Sequence, residues 1–82
     1  MRVRVKFFAK YLEVIGKNEE EYQLEHGATL HDLRKLVFSI YPQLTNIQTS
    51  MLMSVNENFV NDRELRLKED DVVAFFPTLS GG

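Results

Sequence analysis

The sequence predicts an α+β domain in which one amphipathic helix lies across one face of a mixed β-sheet. Three observations predict it. Residues 2 to 9 alternate, with Val3, Val5 and Phe7 on one face and Arg4, Lys6 and Phe8 on the other, the period-two pattern of a half-buried strand. Leu30, Leu33, Leu36, Val37 and Ile40 recur at helical spacing and form one apolar stripe. Val72 to Phe76 is a strongly apolar strand near the C-terminal end. A chain of 82 residues supports one domain, and one helix on one sheet makes two layers around a single modest core.

The remaining elements follow in order. Residues 10 to 15 have the composition of a short helical turn, which Gly16 stops. Asn18 to Glu25 alternates again, with Tyr22 and Leu24 inward. The acidic run Glu19-Glu20-Glu21 reads as the solvated face of that strand, where charge discourages stray edge pairing. His26-Gly27-Ala28 is a turn. Thr29 stands three residues before Asp32, the spacing of an N-cap and a carboxylate in the first helical turn. Pro42 ends the helix, because the residue before a proline is pushed out of the α region. Residues 43 to 50 are polar and read as a loop. Met51 to Asn56 is a strand with Met51, Met53 and Val55 inward, and Asn56-Glu57-Asn58 a turn. Arg63 to Leu67 reads as a short strand burying Leu65 and Leu67, and Lys68 to Asp71 as another turn. The order β-β-α-β-β-β, with apolar first and last strands suited to the centre of the sheet, is satisfied by a β-grasp (ubiquitin-like) fold. The expected division is a domain over residues 1–76 and a flexible tail over 77–82.

Composition excludes several function classes. There is no cysteine, so disulfides, thiolate metal sites and cysteine nucleophiles are ruled out. The formal net charge of −2 comes without a basic block that could track a nucleic acid. Charges recur at every second residue from Arg2 to Lys6, which reads as neither a signal peptide nor a membrane span, and a cytoplasmic location is expected. No nucleic acid and no membrane is expected as a partner. His26 and His31 have no further ligands at metal-site spacing, so no metal site is expected. Ser39, Ser50, Ser54 and Ser80 stand in no nucleophile motif, Asp70 and Asp71 are adjacent in a turn and their side chains are expected to diverge into solvent, and no glycine-rich phosphate loop exists. A catalytic site of the chain's own is therefore not legible.

The C-terminal segment is different. Pro77 gives the last strand a stiff exit, and six residues from Pro77 to Gly82 reach at most about 20 Å when extended. Gly81 and Gly82 carry no side chain and so can thread a narrow channel in another protein. If the first and last strands are neighbours, Phe8 and Phe76 form an exposed aromatic patch beside that tail, and monomers rarely expose such patches without a partner.

These residues carry a resemblance. Val5-Lys6-Phe7-Phe8-Ala9, the helix start Thr29-Leu30, Val55-Asn56, and Asp71-Val72-Val73-Ala74-Phe75-Phe76-Pro77 running on to Ser80-Gly81-Gly82 resemble the small subunits of molybdopterin synthases, a family of ubiquitin-like sulfur carriers. The resemblance spans essentially the whole chain. It implies that Gly82, preceded by Gly81, is adenylated at its carboxylate by a ubiquitin-activating-type adenylyltransferase using ATP and magnesium. A sulfur donor enzyme then converts it to a thiocarboxylate that supplies sulfur for the dithiolene of molybdopterin. It implies no cofactor bound by this chain itself. It further implies docking on the large catalytic subunit of the synthase, with Phe8, Phe76, Pro77 and Leu79 as the partner-binding residues. Two alternatives share the activated terminus: a ubiquitin-like modifier conjugated to lysines, and a sulfur carrier of another pathway such as thiazole synthesis.

Overall fold

The structure is a computed structural model that describes residues 1–47 and 50–78. β1 (Arg2–Phe7) lies between β2 (Glu19–Gln23), its antiparallel neighbour, and β5 (Val72–Pro77), to which it runs parallel. β5 pairs antiparallel with β3 (Met51–Val55), and β3 with β4 (Asn58–Val60). The sheet order is β2-β1-β5-β3-β4, so the first and last strands are indeed interior. The architecture is the expected mixed sheet with one main helix, a β-grasp.

Alternation in β1 sends Val3, Val5 and Phe7 to the core, where they meet Val73 and Phe75 of β5 and Leu30, Leu33 and Val37 of helix α2 (Leu30–Ile40). Phe7 sets its ring edge-on to Phe75 at 6.0 Å and to Tyr41 at 6.3 Å. Helix α1 (Lys10–Ile15) forms where the sequence places it. It buries Tyr11 and closes on Gly16, whose φ of 80° permits the left-handed cap and whose N–H donates to the Leu12 carbonyl at 2.8 Å. β1 stops at Phe7 rather than running to residue 9, because Ala9 adopts φ 53°, which no strand residue has.

α2 begins at a complete capping box. Thr29 Oγ1 accepts from the Asp32 N–H at 3.1 Å, and the Thr29 N–H donates to Asp32 Oδ2 at 2.9 Å. The backbone hydrogen bond from Thr29 holds the Asp32 carboxyl below its usual range. Thr29→Ala removes one half of the box and is expected to cost about 1 kcal/mol, lowering the melting temperature by roughly 4–8 °C in a domain of this size. Thermal unfolding of the variant checks it.

Further sequence readings need correction. Arg63 to Leu67 is not a strand of the sheet. Its carbonyls instead serve the start of α2, with Leu30 N–H donating to Leu65 O and His31 N–H to Arg63 O, both at 2.9 Å, and a single bridge joins Thr29 to Arg66. The otherwise unpaired N–H groups of a helix N-terminus claimed that backbone. Leu67 is buried, as expected. Within 43–50, Pro42–Asn46 forms a 3₁₀ helix that buries Leu44, where a polar loop was expected. Asn58 belongs to β4, not to the turn: Asn56 and Glu57, at φ 50° and 71°, make a two-residue hairpin loop closed by the Val55–Asn58 pair. Ile40 leaves the apolar stripe and is 49% exposed, because Tyr41 takes the place over that end of the core.

Candidate functional site

The side of the sheet away from α2 carries the alternate residues: Arg4 and Lys6 of β1, Val72, Ala74 and Phe76 of β5, Leu52 and Ser54 of β3, and Phe59 of β4. The strand registers dictate which of these meet. Phe7 pairs with Phe75 across the parallel β1–β5 ladder, so the next residues, Phe8 and Phe76, stand side by side. Their rings stack at 4.5 Å with 12° between planes. Phe59 lies against the same Phe76 ring at 5.8 Å. Phe8 is 38% exposed and Phe59 69%, so the cluster faces solvent. Together with Lys6, Ser54 and Ala74 these rings border an open trough of about 650 Å³.

Asn56 and Asp71 hold one end of the trough in place. Asn56 exchanges backbone and side-chain bonds with Val72: its N–H donates to the Val72 carbonyl at 2.8 Å and its Oδ1 accepts from the Val72 N–H at 3.0 Å. Asn56 Nδ2 donates to Asp71 Oδ1 at 2.9 Å and Asp71 Oδ2 accepts from the Lys68 N–H at 2.7 Å, so Asp71 is held buried by these bonds and does not turn into solvent as expected. The β3–β4 hairpin is thereby tied to the start of β5, and Phe59 is carried by a fixed support.

The outcome for the residues singled out in the sequence is mixed. Phe8 and Phe76 are brought together as expected. Pro77 pairs with Met51 at the end of β5, and the Thr78 N–H donates to the Ser50 carbonyl at 3.0 Å, so the strand direction continues one residue toward the tail. Leu79, Gly81 and Gly82 lie outside the described residues. Phe59 and Leu52 were missed. The signal for Phe59 was the two-residue hairpin loop, which places it opposite Ser54. The acidic run of β2 is a set of ion-pair partners: Arg4 reaches Glu19 at 3.1 Å and Glu21 at 3.7 Å. Among the described residues no group of three His, Asp or Glu side chains is placed to hold a metal, and no helix is long and apolar enough to cross a membrane. The trough combines aromatic rings and small residues with Lys6 and Glu57 at its border, which is the chemistry of a contact surface.

Comparison with known proteins identifies the chain. The model of the ThiS family matches residues 5–82. The chain belongs to the ThiS family. Relatives of this family member include the molybdopterin synthase sulfur carrier subunit of Chlamydomonas reinhardtii, 35% identical, with all of both chains covered. That of Dictyostelium discoideum is 32% identical over 96% of this chain and 94% of its own. The crystal structure of SAMP1 from Haloferax volcanii superposes with a TM-score of 0.86 over the full length of both chains; at 21% identity that likeness shows the fold alone. The ThiS family match runs through the Gly81-Gly82 pair and so takes in the whole segment that follows the aromatic face.

Proposed function

We propose that this ThiS family member is the sulfur carrier subunit of a molybdopterin synthase, with Gly82 as the sulfur-bearing residue. The observation that carries the reading is the exposed Phe8–Phe76–Phe59 surface, set at the root of the segment that leads from Pro77 to Gly81-Gly82. Full-length similarity to two sulfur carrier subunits supports it.

The chemistry follows from the terminus. In the proposed role Gly82 bears the reacting α-carboxyl; such a group titrates at about 3.5 and at neutral pH is a carboxylate, which is a poor electrophile. In the proposed cycle a carboxylate oxygen attacks the α-phosphorus of ATP held with magnesium by an adenylyltransferase, and pyrophosphate leaves. Sulfide from a donor enzyme then attacks the acyl carbon and AMP leaves, so one oxygen has been exchanged for sulfur. The resulting thiocarboxylate is nucleophilic: its sulfur bonds to a carbon of a pterin precursor inside the large catalytic subunit, and water then cleaves the acyl–sulfur bond, leaving the sulfur on the precursor and returning Gly82 to a carboxylate. This chain contributes recognition and reach. Its aromatic face docks, and a tail without side chains at Gly81 and Gly82 enters a channel that a Cβ would obstruct.

The test is the intact mass of the chain after incubation with a candidate adenylyltransferase, ATP, magnesium and a sulfur donor. The expected result is a gain equal to replacing one oxygen by sulfur, abolished by deleting Gly81-Gly82. No gain, with the same enzyme shown active on a known carrier, overturns the reading.

A further inference from the structure

We infer that the protein docking on this face presents an apolar segment that carries a carboxylate, and that Lys6 receives it. The inference rests on the docking role proposed above and names the chemistry of the docking partner. Three cations point outward from β1, and two of them are engaged within the chain. Arg2 meets Asp70 at 3.2 Å and Glu69 at 3.9 Å, while Arg4 meets Glu19 and Glu21. Glu19 is the cross-strand neighbour of Lys6, yet its carboxylate turns to Arg4. Among the described residues Lys6 has no acidic group within ion-pair distance.

Lys6 also borders the trough, and its position there is fixed by register. A row runs across the sheet from Lys6 to Ala74, Ser54 and Phe59. Ala74 and Ser54 are only 7% and 6% exposed, so they form a low floor bordered by the Phe8, Phe76 and Phe59 rings. A large apolar side chain from a partner seats on that floor. Covering the trough strips water from the Lys6 ammonium, and a buried cation without a counter-charge is strongly unfavourable, so complementarity calls for an anion at that edge. The anion is a protein carboxylate and not a nucleic-acid backbone. Arg2 and Arg4 are already neutralised by the chain's own acids, so among the described residues Lys6 is left as the unpaired cation of β1, with no track of them.

The experiment is calorimetric titration of the chain with the large catalytic subunit at low and high salt. Wild-type affinity is expected to fall with salt. Lys6→Glu is expected to weaken binding at low salt by at least about tenfold, because it sets two carboxylates against each other. Lys6→Met leaves the partner's carboxylate covered without a counter-charge, so it should also weaken binding by at least about tenfold and lose most of the salt dependence. Ala74→Leu raises the floor and should weaken binding by a similar factor to Lys6→Glu while retaining the wild-type circular dichroism. Lys6→Glu binding as tightly as wild type with the same salt slope overturns the carboxylate. Ala74→Leu binding unchanged overturns the seated side chain. A wild-type chain that gains sulfur but does not bind the large subunit overturns the docking inference alone; one that neither gains sulfur nor binds overturns the functional reading as well.

Discussion

Phe75→Ala is expected to lower the melting temperature by roughly 15–30 °C. Phe75 sits on β5, the middle strand of the sheet, with no exposed surface, and its ring meets Phe7 edge-on. Truncating a buried phenylalanine loses its transfer free energy and leaves a cavity, about 3–5 kcal/mol together. A domain of this length has a total stability of about 4–12 kcal/mol, so the variant is left near the edge of unfolding. The adjacent Phe76→Ala is the control. Its ring faces solvent and stacks on Phe8, so its loss should cost about 1 kcal/mol or less in stability and act on partner binding instead. Urea unfolding of both variants checks the pair. If Phe76→Ala proved the more damaging, the register of β5 would be wrong by one residue, since a one-residue slip exchanges the two faces.

Acid sensitivity supplies the second large effect. Glu20 of β2 accepts three hydrogen bonds: from the hydroxyls of Tyr22 and Tyr41 at Oε1, each at 2.7 Å, and from Lys17 Nζ at Oε2, at 2.8 Å. The Lys17 bond, followed by those from Tyr41 and Tyr22, lowers the Glu20 carboxyl from 4.5 to about 2 against a smaller opposing effect of desolvation. The partners shift in concert. Burial first, then the Glu20 carboxylate, pushes the Tyr22 phenol up, and the hydrogen bond to Glu20 does the same to Tyr41.

The folded-state value lies below the unfolded one. The carboxylate therefore stabilises the fold in full above pH 4.5, and that contribution is withdrawn as pH falls toward 2. Glu20→Gln either keeps an acceptor for the phenols and turns its N–H₂ toward Lys17, or keeps a neutral oxygen for Lys17 and turns its N–H₂ toward the phenols, and should cost about 1–3 kcal/mol at neutral pH. The difference in stability between wild type and Glu20→Gln should shrink between pH 4.5 and 2. Urea unfolding over that range measures it, and parallel curves for the two proteins would show that the carboxylate is not engaged in solution.

This cluster also shows what was illegible. The acidic run places Glu20 with Glu19 and Glu21 on a solvated face, but only Glu19 and Glu21 face Arg4 on the outer side. Glu20 has the opposite parity and turns under the sheet to meet Tyr41, twenty-one residues away. Alternation placed it on that side; nothing local announced its partner. The same holds for Ile40 and Tyr41, where helical spacing favoured the first and packing against Phe7 chose the second. Arg63 to Leu67 alternates like a strand, and its fate depended on unpaired N–H groups at the start of α2.

What the sequence determined by itself is local and periodic. β1 and β5 follow from alternation and apolar content, α1 ends on Gly16, α2 starts at Thr29 and Asp32, and Pro42 stops it, because each signal acts within a few residues of the backbone it shapes. The sequence also excluded cysteine chemistry and directed attention to the residues after Pro77. Only the tertiary structure decided that β1 and β5 lie side by side and parallel, that Phe8 therefore stacks on Phe76, and that a hairpin from another part of the chain adds Phe59. Strand partnership and register are long-range pairings between segments some seventy residues apart, set by which arrangement buries the inner faces of all the strands together, and no single segment encodes that choice.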